Sequence, residues 1–339
     1  MRAFALFLAG VAALGAQTPS LEFLNHGRPV LDAHNCYPYE GQWTDRLDRA
    51  LRLGFPVAIE QDLTWHIDRA TGEGRVVVSH TDKTAGNEPT LRDHFFEHVR
   101  PIVEAALREN NRSRWPLIVL HFDFKSEEPP LLRAVWDLLG TYQDWITTAV
   151  KTSDSSQLSP LDARPILVLT EDSDRQEKVF YQDVPAGSKL RIFGSAHTEG
   201  LRDRSGDERA HFAATASPAT LLSAPATNYR RWWNNSWALV EEGGQRKAGE
   251  WTGARNARVR ELAAHAHRLG YWIRFYTLDG FLPGENRGWD EGYNFGSRAA
   301  VEQRWKAALD AGVDLIATDQ YEELGQLFAK RPKDTAAER

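Results

Sequence analysis

The sequence predicts an α/β fold, a (β/α)8 TIM barrel, and two observations support this prediction. Strand-like runs rich in Val, Ile and aromatic residues alternate with helical patterns, an order typical of a parallel sheet with helices outside it. The chain has 339 residues, a length that suits one barrel or two ordinary domains. A doubly wound open sheet is the alternative fold.

Nine strand-like runs are separated by turn residues and helical patterns. They cover residues 30–35, 56–65, 76–80, 117–125, 165–170, 190–197, 227–233, 271–279 and 313–319. Eight of them form the barrel if the short run 76–80 is an additional hairpin arm after the second strand. Two helical faces, one around Leu47 and Ala50 and the other over residues 259–269, stop at Gly54 and Gly270, and glycine is the expected residue after a helix C-terminus.

The first residues have the order of a secretory signal. Arg2 precedes an apolar run over residues 3–14, which the small residues Gly15 and Ala16 follow. The apolar run is shorter than the ~20 residues that span a membrane. We therefore expect a signal peptide over residues 1–17 and a secreted or periplasmic protein. A single barrel domain over residues 21–330 and a flexible tail over 331–339 complete the predicted organisation.

Composition and charge exclude several classes of protein. The 41 Lys and Arg residues against 47 Asp and Glu give a net charge of −6 without a block of like charges. Nucleic acid is therefore not an expected partner, and contact with a membrane is at most peripheral. The lone Cys36 excludes an intrachain disulfide and a thiolate zinc site. We expect a monomer that acts on a small molecule or a lipid.

Polar residues lie at the predicted carboxyl ends of the strands, where the βα loops of such barrels form the active site. They are His34, Asn35, Glu60, Asp62, His80, Asp123, Lys125, Asp279 and Asp319. Glu60 and Asp62 are two residues apart, so both face the lumen if the run is a strand. Three carboxylates that meet there repel one another unless a divalent cation lies between them. An all-oxygen ligand set favours Mg²⁺ or Ca²⁺.

These motifs, in this order, resemble those of the phospholipase-C-like phosphodiesterase superfamily. The matching residues are His34-Asn35, Glu60-x-Asp62 and the Val-Val-Ser-His segment at 77–80, and the resemblance extends over about residues 30–325. It implies a TIM barrel of the phospholipase-C-like type. It also implies that His34 and His80 are the acid/base pair, that Glu60, Asp62, Asp123 and Asn35 hold the metal, and that Lys125 binds phosphate.

Within the superfamily, the branch and the substrate stay open. Tyr276, Asp279 and Asp319 resemble residues that line the head-group pocket of sphingomyelinase-D-type enzymes, although that branch has Trp and Asn at the first and last positions. A glycerophosphodiester phosphodiesterase would show His-Arg instead of His34-Asn35. The opening His-Asn-Cys-Tyr at 34–37 is most similar to the altered-inheritance-of-mitochondria-type proteins.

The resemblance and the residue types together predict a metal-dependent phosphoric diester hydrolase acting on a phospholipid or glycerophosphodiester head group. A phosphodiester repels nucleophiles and has a poor leaving group, so its cleavage needs charge neutralisation together with a base and an acid. Histidines with an ordinary pKa near ~6.5 suit both proton transfers. The alternative is a secreted, catalytically inactive barrel that binds a lipid or sugar head group.

Two other stretches allow a functional or a purely structural interpretation. Residues 94–98 match the H-x-x-E-H zinc pattern, with His94 and His98 on one helix face, but an ordinary buried stripe runs beside them. Residues 228–235 combine two Trp with two Arg, and Trp233 is either part of an aromatic wall for a head group or a packing residue between strand and helix.

Overall fold

The computed structural model describes residues 23–24, 29–39, 41–244, 248–282, 285 and 294–330. The predicted signal peptide over residues 1–17 and the predicted tail over 331–339 lie outside these residues. Among the described residues, no helix has both the length and the apolar character needed to cross a membrane.

Eight parallel strands close into a barrel. They are β1 (Val30–Ala33), β2 (Val57–Ile67), β3 (Ile118–Phe124), β4 (Ile166–Thr170), β5 (Phe193–Ser195), β6 (Arg230–Ser236), β7 (Trp272–Tyr276) and β8 (Leu315–Thr318). Strand β1 pairs in parallel with both β2 and β8, and this double pairing closes the sheet. The predicted (β/α)8 barrel is therefore confirmed, and the open-sheet alternative is wrong.

The predicted hairpin arm is present beside β2. Strand β2 is long, and its outer half pairs in antiparallel fashion with the arm Gly74–Val78. The main-chain N–H of Ser79, just beyond this arm, donates to the carbonyl of Asp62 at 3.0 Å. This hydrogen bond holds the next residue, His80, beside Asp62 in the middle of β2. A separate small antiparallel sheet consists of Thr148–Val150, Leu161–Asp162 and Lys189–Leu190.

Helices surround the barrel. They are α1 (Arg46–Arg52), α2 (Glu97–Glu109), α3 (Pro129–Thr141), α4 (Asp174–Glu177), α5 (Gly206–Thr215), α6 (Pro218–Leu221), α7 (Gly253–Arg268), α8 (Arg298–Asp310) and α9 (Tyr321–Ala329). A wider π-helical turn, Arg92–Phe96, leads directly into α2. The predicted glycine stops are confirmed, because Gly54 and Gly270 follow α1 and α7 with φ angles of 90° and 85°.

Apolar side chains form the layer between the barrel and the helices, whereas charged side chains occupy the lumen. Val259, Leu262 and Ala263 of α7 are fully buried in the outer layer. Inside the barrel, the buried guanidinium of Arg274 pairs with Asp32 and, through Nη2, with Glu60 Oε1 at 3.3 Å. Buried charges require such partners, so the lumen is organised by ion pairs.

The largest error in the predicted strands is at β6, which begins and ends three residues later than predicted. The Thr227 hydroxyl accepts hydrogen bonds from the main-chain N–H groups of Tyr229 and Arg230, at 3.3 and 2.9 Å. This turn delays the start of the strand. Asn234, which lies one residue beyond the predicted end, is therefore part of β6 and lines the cavity, whereas Trp233 does not.

Candidate active site

A cavity of about 270 Å³ lies at the carboxyl ends of the barrel strands. It is lined by His34, Asn35, Glu60, Asp62, His80, Asp123, Lys125, Glu171, Asn234, Arg274 and Tyr276. These side chains come from widely separated parts of the chain, and only closure of the barrel brings them together. The catalytic and metal-binding residues predicted from the sequence all line this cavity, as does Lys125.

Three carboxylates converge on one side of the cavity. Each of Glu60, Asp62 and Asp123 offers an oxygen, and these atoms lie within 4.8 Å of one another. The register explains the cluster, because Asp62 of β2 is paired directly with Asp123 of β3 and both face the lumen. Burial and the neighbouring Asp62 raise the pKa of Asp123 to about 6.

Lys125 lies against this cluster. Its ammonium nitrogen is 2.9 Å from Asp62 Oδ2 and 2.7 Å from Asp123 Oδ2. Burial disfavours the charged form, but the two carboxylates outweigh this effect and raise the pKa of Lys125. The lysine therefore stays charged between these two carboxylates.

His34 is held by carboxylates on both sides of its ring. Nδ1 lies 3.0 Å from Asp319 Oδ1, and Nε2 lies 3.5 Å from Glu60 Oε2. Burial alone would lower the pKa of this imidazole, but Glu60 and Asp319 together raise it to about 9. The sequence-based expectation of an ordinary histidine pKa is therefore wrong for His34. The ring of Tyr276 stacks on the His34 ring, with centroids 6.2 Å apart.

His80 stands at the mouth of the cavity. Its side chain is 43% exposed, whereas that of His34 is 8% exposed. His80 Nδ1 lies 2.6 Å from Asp62 Oδ2. Each histidine is thus paired with a buried carboxylate, an arrangement that fixes the ring orientation and the tautomer.

Asn35 adopts a left-handed backbone conformation directly after β1, with a φ angle of 50°. This turn lets its main-chain N–H donate to Glu60 Oε2 at 2.8 Å, while its side-chain N–H₂ donates to Asp319 Oδ1 at 3.2 Å. Arg46 Nη1 donates to the carbonyl oxygen of Asn35 at 2.9 Å. Asn35 therefore links the carboxylate cluster to the partner of His34.

The far side of the cavity carries a closed ring of polar contacts that the sequence analysis missed. Its shorter hydrogen bonds run from His121 Nε2 to Glu171 Oε1 at 2.7 Å, from Asn234 Nδ2 to the same oxygen at 2.8 Å, and from Arg274 Nη1 to Asn234 Oδ1 at 3.0 Å. Glu60 Oε1 closes the ring, 3.3 Å from Arg274 Nη2 and 3.5 Å from His121 Nδ1. Period-two alternation along β3, β6 and β7 is the sequence signal that places His121, Asn234 and Arg274 in the lumen.

Three residues predicted to contact substrate do not line the cavity. Trp233 faces away from the lumen, where its fully buried indole donates to Thr198 Oγ1 at 2.8 Å. Asp279 is buried behind the cavity and accepts from the main-chain N–H of Asp319 at 2.8 Å. Asp319 itself holds His34. The predicted pocket role of these three residues is therefore wrong. Trp233 packs outside the lumen, Asp319 holds His34, and Asp279 holds Asp319.

The zinc pattern over residues 94–98 does not form a metal site. His94 Nε2 lies 3.4 Å from the carbonyl oxygen of Cys36, whereas His98 Nε2 lies 2.9 Å from Asp48 Oδ1. Glu97 is occupied by Arg100 and Tyr142. Within the described residues, the cluster at Glu60 is the group of His, Cys, Asp and Glu side chains with the spacing to hold a metal ion.

Comparison with known proteins gives little further information. No family model matches the chain, and no curated protein matches it. Among solved structures, a calcium-dependent phosphoinositol-specific phospholipase C from a Gram-negative bacterium, Pseudomonas sp., is 12% identical, with a TM-score of 0.44 over 90% of this chain and 92% of that chain. A Plasmodium falciparum HPPK-DHPS structure with pterin and p-hydrobenzoate is 8% identical, with a TM-score of 0.36 over 91% of this chain and 48% of that chain. Likenesses this weak carry no conclusion about activity.

Proposed function

We propose that this protein is a metal-dependent phosphoric diester hydrolase that acts on a phospholipid or glycerophosphodiester head group. The observation that supports this function best is the content of the cavity at the carboxyl ends of the strands. It combines two histidines, each paired with a carboxylate, with a lysine and a cluster of three carboxylates, one of which, Asp62, is the partner of His80. This set supplies the base, the acid and the charge neutralisation that assist cleavage of a phosphodiester.

His34 and His80 perform the two proton transfers of the proposed reaction. One imidazole removes the proton from the attacking hydroxyl group, and the other donates a proton to the departing alkoxide oxygen. Asp319 and Asp62 hold the two rings through their Nδ1 atoms, so each ring keeps one orientation. Such a proton transfer typically contributes a factor of ~10² to 10⁴ in rate.

The carboxylate cluster fits a hard divalent cation. Its donors are all oxygen atoms and they are close together, and the four cavity carboxylates outnumber the positive groups Lys125, Arg274 and His34. Glu60, Asp62 and Asp123 would hold Mg²⁺ or Ca²⁺, with Asn35 beside them. Such a cation supplies neutralisation of negative charge on the phosphate.

Lys125 has a separate role in this proposal. Its ammonium group stays charged between Asp62 and Asp123 at the edge of the cavity, and a phosphate oxygen in the cavity would accept a hydrogen bond from it. The lysine thereby places the phosphorus atom between the two histidines, and it stabilises the negative charge that increases in the transition state.

A head-group panel tests the proposed function. Phosphatidylinositol, lysophospholipids and glycerophosphodiesters are assayed in turn with Mg²⁺ and with Ca²⁺, and the products are identified to show which ester bond breaks. We expect turnover of at least one class. Binding of a head group without turnover of any phosphodiester in either ion would favour the inactive-barrel alternative. Turnover of glycosides that survives chelation would contradict the assignment.

Export and a monomeric state are part of the same proposal, and the sequence supports the first of them. The order of residues 2–17 supports export. The net charge of −6 gives no general attraction for polyanions, and this supports a small-molecule or lipid substrate. N-terminal sequencing of the protein recovered outside the cytoplasm would show whether cleavage occurs near residue 17, and sedimentation would show the state of assembly.

A further inference from the structure

The side-chain hydroxyl of Tyr37 lies where three groups of the site meet. Its oxygen is 2.6 Å from Asp62 Oδ2, 2.9 Å from Asn35 Oδ1 and 3.1 Å from His80 Nδ1. The side chain is fully buried, and its ring lies parallel to that of His80, with centroids 6.5 Å apart. Tyr37 is absent from the cavity lining, so its hydroxyl contacts the site from behind.

The chain directs Tyr37 to this point through the turn after β1. The left-handed conformation of Asn35 reverses the backbone, and the main-chain N–H of Tyr37 donates to the carbonyl of Asn35 at 2.9 Å. The Gln61 side chain donates to the carbonyl of Cys36 at 2.5 Å and ties the same turn to β2. Tyr37 is therefore fixed against the strand that carries Asp62.

The donors around Asp62 Oδ2 define the tautomer of His80. This oxygen accepts from Tyr37 at 2.6 Å and from Lys125 at 2.9 Å, and His80 Nδ1 lies 2.6 Å from it. A carboxylate oxygen can only accept, so neutral His80 must carry its proton on Nδ1. Nε2 is then the ring nitrogen with the lone pair that can take a proton.

We propose that Tyr37 is a positioning residue that holds Asp62 against His80 and thereby keeps His80 in the Nδ1–H tautomer. This inference rests on the proposed function for its effect on turnover. The tyrosine touches neither phosphate nor the departing oxygen; it acts through Asp62. The competing explanation is that Tyr37 only fills space beneath the site.

The test compares Tyr37→Phe with Tyr271→Phe. Both changes remove one buried hydroxyl and keep the ring, but the hydroxyl of Tyr271 donates to the carbonyl of Pro225, at 2.8 Å, away from the cavity. Protein labelled with ¹⁵N at histidine is examined by NMR at a pH where the ¹⁵N shifts themselves show a neutral His80 ring, and a His80→Gln variant assigns the His80 signals. Turnover of the phosphodiester found in the panel gives kcat and KM.

We expect His80 to be a single Nδ1–H tautomer in the wild-type protein and in Tyr271→Phe, and a mixture of tautomers in Tyr37→Phe. Loss of an outer partner of a catalytic group typically costs about 10- to 100-fold, so kcat should fall by that factor while KM changes less than about twofold. A single Nδ1–H tautomer and an unchanged kcat in Tyr37→Phe would overturn the proposal.

The wild-type spectrum decides the question even if Tyr37→Phe fails to fold. An Nε2–H tautomer of His80 in the wild-type protein contradicts the proposal outright. The NMR result is also independent of activity. A tautomer change in Tyr37→Phe, in a protein that cleaves no phosphodiester, would support the positioning role of Tyr37 and remove the proposed function.

Discussion

At the scale of the single residue, the partner of each proposed catalytic group determines its environment. His34 and His80 are both imidazoles, yet His34 is buried between Glu60 and Asp319, whereas His80 is nearly half exposed and touches Asp62. The two histidines therefore differ in accessibility and in electrostatic environment. Such a difference between a paired acid and base allows one residue to give a proton while the other takes one.

Removal of either histidine tests their proposed roles. His34→Ala and His80→Ala should each lower kcat at least ~100-fold, because each change deletes one proton transfer. His98→Ala is the matched control, since His98 also pairs with an aspartate but lies outside the cavity. Steady-state hydrolysis of the panel substrate measures the effect, and equal activity of all three variants would contradict the assignment.

At the scale of the element, the register of a strand decides which residues can act. Strand β6 starts after the turn at Thr227, so Asn234 enters the lumen while Trp233 packs outside the barrel. Substitution of Asn234 should therefore impair turnover, whereas substitution of Trp233 should impair stability. Asn234→Ala should lower kcat/KM by about tenfold or more, because Arg274 and Glu171 lose a shared partner.

Trp233→Ala should instead reduce the free energy of unfolding by ~3–5 kcal/mol, as large-to-small changes in a core do. Its kcat/KM should stay near the wild-type value wherever the protein is folded. Denaturant unfolding and turnover on the same preparations measure both quantities. A Trp233→Ala variant with normal stability and impaired turnover would restore the aromatic-wall interpretation.

The π-helical turn before α2 contains a partly buried histidine, His94, that makes stability depend on pH. Burial lowers the pKa of His94 to about 4, from an ordinary value of 6.5. The unfolded chain therefore binds a proton at a higher pH than the folded protein does. Stability should fall as the pH decreases from 6.5 towards 4, by up to about 3 kcal/mol for this residue.

A His94→Gln variant isolates this contribution from those of other titrating groups. On acidification through that range, the wild-type protein should lose about 1–3 kcal/mol of unfolding free energy relative to His94→Gln. His98→Gln is the control, because His98 is partly exposed and makes an ordinary surface pair. A difference that does not change with pH would contradict this prediction, because it would show that protonation of His94 costs the folded protein no free energy.

The sequence predicted the barrel and the near side of the cavity well, for a physical reason. Strand ends in a barrel converge whatever their separation along the chain, so polar residues at those ends could be grouped without knowledge of distances. His34, Glu60, Asp62, His80 and Asp123 were found in this way.

The far side of the cavity was missed because its residues do not stand out from the chain. Arg274 lies inside a strand that otherwise reads as an ordinary core strand, and Glu171 is one acidic residue among several in its loop. Asn234 lies one residue beyond the predicted end of β6. The contacts of Tyr37 depend on the left-handed turn at Asn35, which nothing in the strand and helix patterns predicted.

At the scale of the whole molecule, closure of the barrel creates a strongly charged cavity, and this charge is the basis on which we propose a bound cation. Four carboxylates line the cavity together with Lys125 and Arg274. Like charges held close in a low-dielectric cavity are unfavourable unless counter-charges compensate them. The overall charge of −6 is modest, so the excess is a local property of the site.

The most direct test of the central claim is phosphodiester hydrolysis by one preparation, followed by ³¹P NMR before chelation with EDTA, after it, and after Ca²⁺ or Mg²⁺ is restored. The account predicts turnover that chelation abolishes and that one of the two ions restores, with no recovery in His80→Ala. Turnover that is unchanged by EDTA, or no turnover of any phosphodiester with either ion present, would contradict it.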